Sequence, residues 1–290
     1  MIKEFEYLAP KKLKDALKML DEHADDCKIV CGGQSILVMM RQGLVTPAYV
    51  IDIKGLSELD YIKNDKEGMK IGAITTHRAV EKSAAIIKTY PALAQMEHRL
   101  ASIQTRNRGS LGGNICHGEP AGDPPPVLMA LGASLKISSV KGDRIVKVDD
   151  FYKDYFETVL EHNEILTEIQ IPAPAPYSGA AYSKFNIILN DLATVGVGVG
   201  MTLSGKDGVC KDVIIALGAF APTARRAVKA EAVLRGNKIT DKLLVKAGEV
   251  ASEEGDPISD INASAEYRKE ICKIMVKRMA AEAYARANKA

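Results

Sequence analysis

Residues Pro172 to Pro176 read PAPAP, the sharpest punctuation in the chain. Proline fixes φ and removes a backbone donor, so neither a helix nor an interior strand can run through such a segment. The polypeptide is therefore expected to divide there into a unit over residues 1–175 and a second over 176–290. Each side has enough residues for its own core.

The first unit opens with apolar residues at Leu13, Ala16, Leu17 and Leu20, the spacing of an amphipathic helix over Lys12 to His23. A short strand, Lys28 to Cys31, runs straight into Gly32-Gly33-Gln34-Ser35. Ser35 is placed to cap a helix from Ile36 to Gln42 that Gly43 would end. A further strand spans Tyr49 to Ile53, and this alternation predicts a small α/β layer with parallel pairing. Beyond it, a strand is expected over Met69 to Thr75 and helices over His77 to Tyr90 and Ala92 to Ile103. Gln104 to Asp123 reads as a polar, glycine-rich loop held by Pro124, Pro125 and Pro126 ahead of a helical segment from Val127 to Leu131. Strands follow at Ser134 to Ser139, Arg144 to Val148 and Ile165 to Ile171.

The second unit begins with three strands expected to pair antiparallel: Ala180 to Ile188, Ala193 to Leu203 and Val213 to Ala219. Helices are expected over Arg225 to Leu234, Asp241 to Ser252 and Ala265 to Ala287. Gly196, Gly198 and Gly200 alternate within one strand, which suits close packing on one face better than phosphate binding.

Two glycine pairs are the candidates for chemistry. Gly32-Gly33 lies between a strand and a helix start, where backbone N–H groups can meet an anion. Arg108-Gly109-Ser110-Leu111-Gly112-Gly113-Asn114 supplies three glycines, a hydroxyl and an amide in seven residues. Each pair alone reads equally as a tight turn; facing each other, they could cradle a pyrophosphate from both sides. The sequence has neither GxGxxG nor a Walker A loop. His117, Glu119 and Asp123 do not have the spacing of a metal-ligand set and read as loop polarity with one ligand-facing carboxylate, so no metal site is expected. His77 and His98 read as surface or capping residues, and no serine or cysteine sits in a nucleophile elbow. No catalytic acid–base pair is visible.

The net charge of +2 offers nothing to nucleic acid or an anionic membrane. The five cysteines include no CxxC pair, so neither a disulfide framework nor a cluster site is supported. The apolar stretches are too short to span a bilayer and the opening MIKEFEYLAP lacks a signal-peptide core, so a cytoplasmic location is expected.

Several segments, in order, carry a resemblance: FEYLAPKKLKDALKML, KIVCGGQSILVMMRQG, VIDIKGLSELDYI, IGAITTH, QTRNRGSLGGNICHGEPAGDPPPVLMALGA, NEILTEIQIP and APTARRA. They resemble the FAD-binding subunits of the molybdenum hydroxylases, the xanthine dehydrogenase and carbon monoxide dehydrogenase family, over nearly the whole chain. The resemblance implies an α+β protein: a vanillyl-alcohol-oxidase (PCMH)-type FAD-binding fold of two α/β subdomains, about 1–56 and 57–175, followed by a C-terminal domain with a small antiparallel sheet and helices. By motif it implicates Ile29, Val30, Cys31, Gly32, Gly33, Gln34 and Ser35, then Ser110, Leu111, Gly112, Gly113 and Asn114, in FAD binding. Asp123 matches a residue near the flavin's polar chain, Ile165 an apolar residue of the flavin pocket, and Lys184 a lysine near it.

Leu192 stands where some relatives have an aromatic residue, and Cys31 replaces a small residue, which would expose that site to oxidation. The implied partners are a large molybdopterin-binding subunit and a small subunit with two [2Fe–2S] clusters, assembled as a dimer of heterotrimers that delivers electrons through FAD to an external acceptor. The resemblance leaves open substrate (carbon monoxide, aldehyde, purine, N-heteroaromatic or acyl-CoA) and acceptor (NAD, quinone, ferredoxin or oxygen). Two other readings fit the same fold: a standalone FAD oxidoreductase, and an assembly subunit that has lost its flavin.

Overall fold

The chain begins with the expected parallel layer. In the computed structural model, which describes residues 2–188 and 190–290, β1 (Glu6–Leu8), α1 (Leu13–Glu22), β2 (Cys27–Val30), α2 (Ile36–Gln42) and β3 (Tyr49–Asp52) follow in turn. β3 lies between β1 and β2 and runs parallel to both. Helix α1 buries Ala16, Leu17 and Leu20 on one face, and these pack with Cys27, Ile51 and Ile53. Gly43 ends α2 in the left-handed region, at φ +74°. Ser35 precedes α2, but its side chain accepts no cap hydrogen bond, contrary to expectation.

The middle of the chain carries β4 (Ile62–Asn64), β5 (Gly68–Gly72), α3 (His77–Lys82), α4 (Ala84–Thr89), α5 (Pro91–Arg99), α6 (Ile103–Arg108), α7 (Leu111–His117), α8 (Pro124–Ala130), β6 (Ser134–Ser139), β7 (Gly142–Lys147), β8 (Tyr152–Asp154), β9 (Glu157–Thr158) and β10 (Ile165–Pro172). Five of these strands form an antiparallel sheet in the order β4-β5-β10-β6-β7. The single helix expected over 77–90 is two, because Ser83 leaves helical geometry and caps α4 by accepting from Ile86 N.

The segment expected as a loop, 104–123, holds most of α6 and all of α7. Ser102 and Ser110 cap them by accepting from Thr105 N and Gly113 N. Burial of Leu111 and Ile115 outweighs the poor helix propensity of Gly112 and Gly113. The three prolines likewise do not belong to a loop: they form the first turn of α8, where the missing N–H groups cost nothing.

The last third contains β11 (Ser178–Phe185), β12 (Val195–Leu203), β13 (Cys210–Gly218), β14 (Arg225–Arg226), α9 (Val228–Leu234), α10 (Asp241–Ala251) and α11 (Ala265–Ala287). The four strands pair antiparallel in sequence order. The helix expected from Arg225 starts only at Val228, since Arg225 and Arg226 extend the sheet. Val195, Val197 and Val199 pack with buried residues of α10 and α11.

Two of the alternating glycines, Gly198 and Gly200, face α8. A Cβ at Gly198 would lie 2.3 Å from the Pro126 carbonyl oxygen, and one at Gly200 would lie 1.9 Å from that of Ala130. Glycine there lets a helix backbone lie directly on the strand, which brings Asp123, at the start of α8, beside β11. No helix among the described residues is long and apolar enough to cross a membrane.

Candidate functional site

The two glycine segments touch. A Cβ on Gly32 would fall 2.4 Å from the Arg108 carbonyl oxygen and 2.6 Å from Gly109 Cα, so only glycine permits this approach. Gly33 has φ +68°, a left-handed conformation that turns the chain from β2 into α2. Gly112 is equally constrained, since its Cβ would meet the Ala73 carbonyl oxygen at 2.5 Å. Gly113 differs: the only neighbour of an added Cβ is Ser110 Oγ, at 2.8 Å.

A cavity of ≈ 960 Å³ opens against these segments, at the upper end of the range of about 300–1,000 Å³ for ligand pockets. Every residue implicated in FAD binding by the sequence motifs lines it except Val30 and Leu111. Val30 ends β2, and Leu111, the first residue of α7, is fully buried in the core. Asp123, Ile165 and Lys184, far apart in sequence, come to the same cavity.

The two segments offer different things to an anion. At the start of α7, Leu111 N donates to Thr75 O and Gly112 N to Ala73 O, both at 3.0 Å, and Gly113 N donates to Ser110 Oγ at 3.2 Å. Those amides are already satisfied by protein. Among the described residues, by contrast, no backbone N–H from Gly32 through Ile36 has a protein acceptor, and all five residues line the cavity. The first segment therefore supplies free donors, and the second supplies room at Gly113 and a polar edge at Asn114.

Asp123 and Lys184 form a buried ion pair: Lys184 Nζ donates to Asp123 Oδ2 at 2.7 Å, and Tyr182 Oη donates to Oδ1 at 2.6 Å. Burial pushes the Asp123 carboxyl above its ordinary range, against the opposing effect of Lys184 and Tyr182. Lys184 also donates to Asp191 O at 2.8 Å, which ties down the segment bringing Leu192 to the cavity. Leu192 is itself more than half exposed. The Cys31 thiol is pushed up by burial, which keeps it protonated and works against the oxidation sensitivity expected of it.

His77 departs from expectation most sharply. It is 2% exposed, lines the cavity, and its Nδ1 lies 2.8 Å from Oε2 of the fully buried Glu97. Its backbone N–H donates to Gly109 O at 3.0 Å, bracing the second glycine segment. Burial raises the Glu97 carboxyl, and Glu97 Oε1 has no hydrogen-bond partner. The sequence held a signal for this. Leu93, Met96, Glu97 and Leu100 share one helical stripe, so Glu97 takes an inward position.

Glu81, one turn beyond His77, anchors the same wall. Its carboxylate accepts from Arg78 Nη1 at 2.9 Å and Arg106 Nε at 3.1 Å, and lies 3.0 Å from His98 Nδ1. Arg106 also donates to the carbonyls of Leu100 and Ala101, which border the cavity. Burial alone would raise this carboxyl, but His98, Arg78 and Arg106 together hold it at about 2. A carboxyl depressed on folding stabilises fully above its unfolded value, near 4.5, and loses that contribution as pH falls towards 2. The unfolding free energy from denaturant melts is therefore expected to drop between pH 5 and 2, by about 3 kcal/mol from this group, with a flatter profile in Glu81→Gln. A Glu81→Gln profile as steep as the wild type would assign the acid sensitivity to other carboxylates.

Comparison with known proteins adds the following. Residues 3–174 match the family described as FAD binding domain in molybdopterin dehydrogenase, and residues 180–283 match the CO dehydrogenase flavoprotein C-terminal domain. The chain is similar to the carbon monoxide dehydrogenase medium chain of Hydrogenophaga pseudoflava, with 35% identity covering 97% of this chain and 98% of that one. It is also similar to the nicotine 6-hydroxylase medium subunit of Paenarthrobacter nicotinovorans, with 34% identity covering 97% of each. Among solved structures, carbon monoxide dehydrogenase from Hydrogenophaga pseudoflava superposes with a TM-score of 0.95 at 36% identity over 99% of both chains. Quinoline 2-oxidoreductase from Pseudomonas putida 86 superposes with a TM-score of 0.92 at 31% identity, again over 99% of both.

Proposed function

This chain belongs to the family of FAD-binding medium subunits of molybdopterin-dependent dehydrogenases, and from that premise we propose that its cavity holds one FAD between the Ile29–Ser35 and Ser110–Asn114 segments. It is an oxidoreductase subunit of a heteromeric complex whose other subunits carry the molybdenum cofactor and iron–sulfur clusters. The observation that carries the site assignment is the contact of Gly32 with Gly109 at the wall of a ≈ 960 Å³ cavity, beside backbone donors that no protein group uses. That combination suits a pyrophosphate, which needs close backbone approach and many N–H groups more than it needs side chains.

When bound, FAD accepts electrons singly or in pairs, which suits a junction between one-electron clusters and an external two-electron acceptor. The chain's own residues bind and orient. Gly32 through Ser35 face the phosphates; Gly113 leaves them room; Ile165 offers an apolar wall; Asp123, fixed by Lys184 and Tyr182, presents polar edge to the flavin's chain. The partners are a large molybdopterin subunit and a small subunit with two [2Fe–2S] clusters, in a dimer of heterotrimers located in the cytoplasm. The FAD-binding unit ends within the 172–176 proline segment, with its two subdomains meeting near residue 56, and residues 176–290 form the second unit.

The visible spectrum and flavin content of the purified chain, with and without added FAD, test this reading. About one FAD per chain is expected, since the cavity has one pyrophosphate-suited wall. A folded but colourless chain that takes up no FAD would instead indicate the assembly subunit. Co-purification with a molybdenum-containing subunit separates the complex from a standalone flavoenzyme.

A further inference from the structure

Two lysines that line the cavity, Lys28 and Lys153, are exposed, so neither is a buried cation fixed against the touching glycine segments. Lys184, the buried cation at this cavity, is already paired with Asp123. Beside the free backbone N–H groups, one buried side chain is placed to supply a pyrophosphate there with a further, charge-assisted donor. His77 is almost wholly buried, lines the cavity, and sits against Gly109 beside Gln34: a Cβ on Gly109 would lie 3.2 Å from His77 Cδ2 and 3.5 Å from Gln34 Cγ. Its Nδ1 is taken by Glu97, and among the described residues its Nε2 has no protein partner.

Which proton Nε2 carries follows from Glu97. If the pair holds only the ring's own proton, on Nδ1, a carboxylate with an unpartnered Oε1 is buried beside a neutral ring and Nε2 is an acceptor. With one more proton the pair is neutral overall. Whether Glu97 or Nδ1 holds the shared proton, Nε2 then bears a hydrogen. Burial of Glu97 favours this protonated pair, because an uncompensated buried charge is costly. Two further carboxylates act in the same direction: Asp123, offset by Lys184, and Glu81 on α3, offset by Arg78 and Arg106.

We propose that His77, held by Glu97, donates from Nε2 to the pyrophosphate of the bound dinucleotide, making FAD retention depend on the protonation of this buried pair. The inference rests on the FAD reading above. It adds a side-chain phosphate ligand and a sign for the pH dependence: affinity is high while the pair with the buried Glu97 carboxyl holds its extra proton and falls as rising pH removes that proton. The bound phosphate, being anionic, favours keeping that proton.

The test is a set of dissociation constants for FAD, ADP and riboflavin with the full-length chain, measured by flavin fluorescence and calorimetry from pH 5.5 to 9. Wild-type affinity for FAD and ADP is expected to weaken with rising pH, whereas riboflavin, which has no phosphate, is expected to show a flat profile. His77→Phe, which keeps the ring's volume, should weaken FAD and ADP about ten- to a hundredfold, the worth of one hydrogen bond to a charged group. His77→Gln, which keeps a donor but cannot be titrated, should recover part of the affinity and lose the pH dependence. Glu97→Gln, which keeps the volume of the partner, should also flatten the profile. A wild type that binds none of the three ligands sinks the FAD reading itself. A wild type that binds FAD with a flat pH profile, or a His77→Phe loss confined to riboflavin, leaves that reading standing and overturns the role given to His77.

Discussion

Gly113→Asp is expected to weaken FAD binding by roughly two orders of magnitude while leaving the chain folded. The two effects separate because of where Gly113 sits. It is the third residue of α7, and Ser110 caps that helix by accepting from Gly113 N. An acidic residue at this position creates a Ser-x-x-acid capping box and favours the helix dipole, so helix stability is kept or raised. The only close neighbour of the new Cβ is Ser110 Oγ, at 2.8 Å, and the rest of the side chain has the cavity to enter. There its charge would meet the phosphates. At about 5 Å and an effective dielectric of about 20, repulsion of one pair of unit charges costs about 3 kcal/mol, or roughly two orders of magnitude in affinity. Gly113→Ala, with a methyl group and no charge, is expected to lose much less. Flavin content on purification, titration with FAD, and the thermal midpoint check this together. A Gly113→Asp chain with full flavin content would move the phosphate site away from α7. Gly112 would be an uninformative choice, since its Cβ would strike the Ala73 backbone at 2.5 Å and disturb folding first.

How much of this was legible in the sequence depended on whether the signal was local. Helix α2 was readable because Gly43 closes it, and β11 to β13 because their apolar residues alternate between turns. The helices α6 and α7 were not, because Gln104 to Asp123 is polar and rich in glycine. Their serine caps and the burial of Leu111 and Ile115 supply what propensity withholds, and burial is a property of the tertiary structure. The site divides in the same way. The glycine segments were visible as motifs, but not the fact that Gly32 and Gly109 touch. Asp123 and Lys184 were expected separately near the flavin, and the structure joins them into one ion pair. Tyr182 went unnoticed, although residues 182 and 184 lie on the same face of β11. His77 was misjudged, and Glu97 passed over, for want of the partner helix: a histidine opening a helix reads as exposed until α5 is packed against it.

The ion pair gives the second large effect. Lys184→Met is expected to destabilise the chain by about 3–5 kcal/mol, because removing one member of a buried pair leaves the other charge uncompensated. Asp123 would then keep only the Tyr182 hydroxyl, in a position where burial already pushes its carboxyl up. The sign of the pH dependence follows. A buried carboxyl raised above its unfolded value, near 3.8, costs stability once it must ionise, so the deficit of Lys184→Met relative to wild type should be greatest at neutral pH. As pH falls and Asp123 takes up a proton, that deficit should shrink. Asp123→Asn combined with Lys184→Met removes both charges and should recover most of the loss, giving a large coupling in a double-mutant cycle from urea denaturation. Lys184 also holds Asp191 O, so part of the cost would remain in the double variant. If Lys184→Met lost less than about 1 kcal/mol with no dependence on pH, the pair would be behaving as a solvated surface contact, and Asp123 would be free to serve the ligand alone.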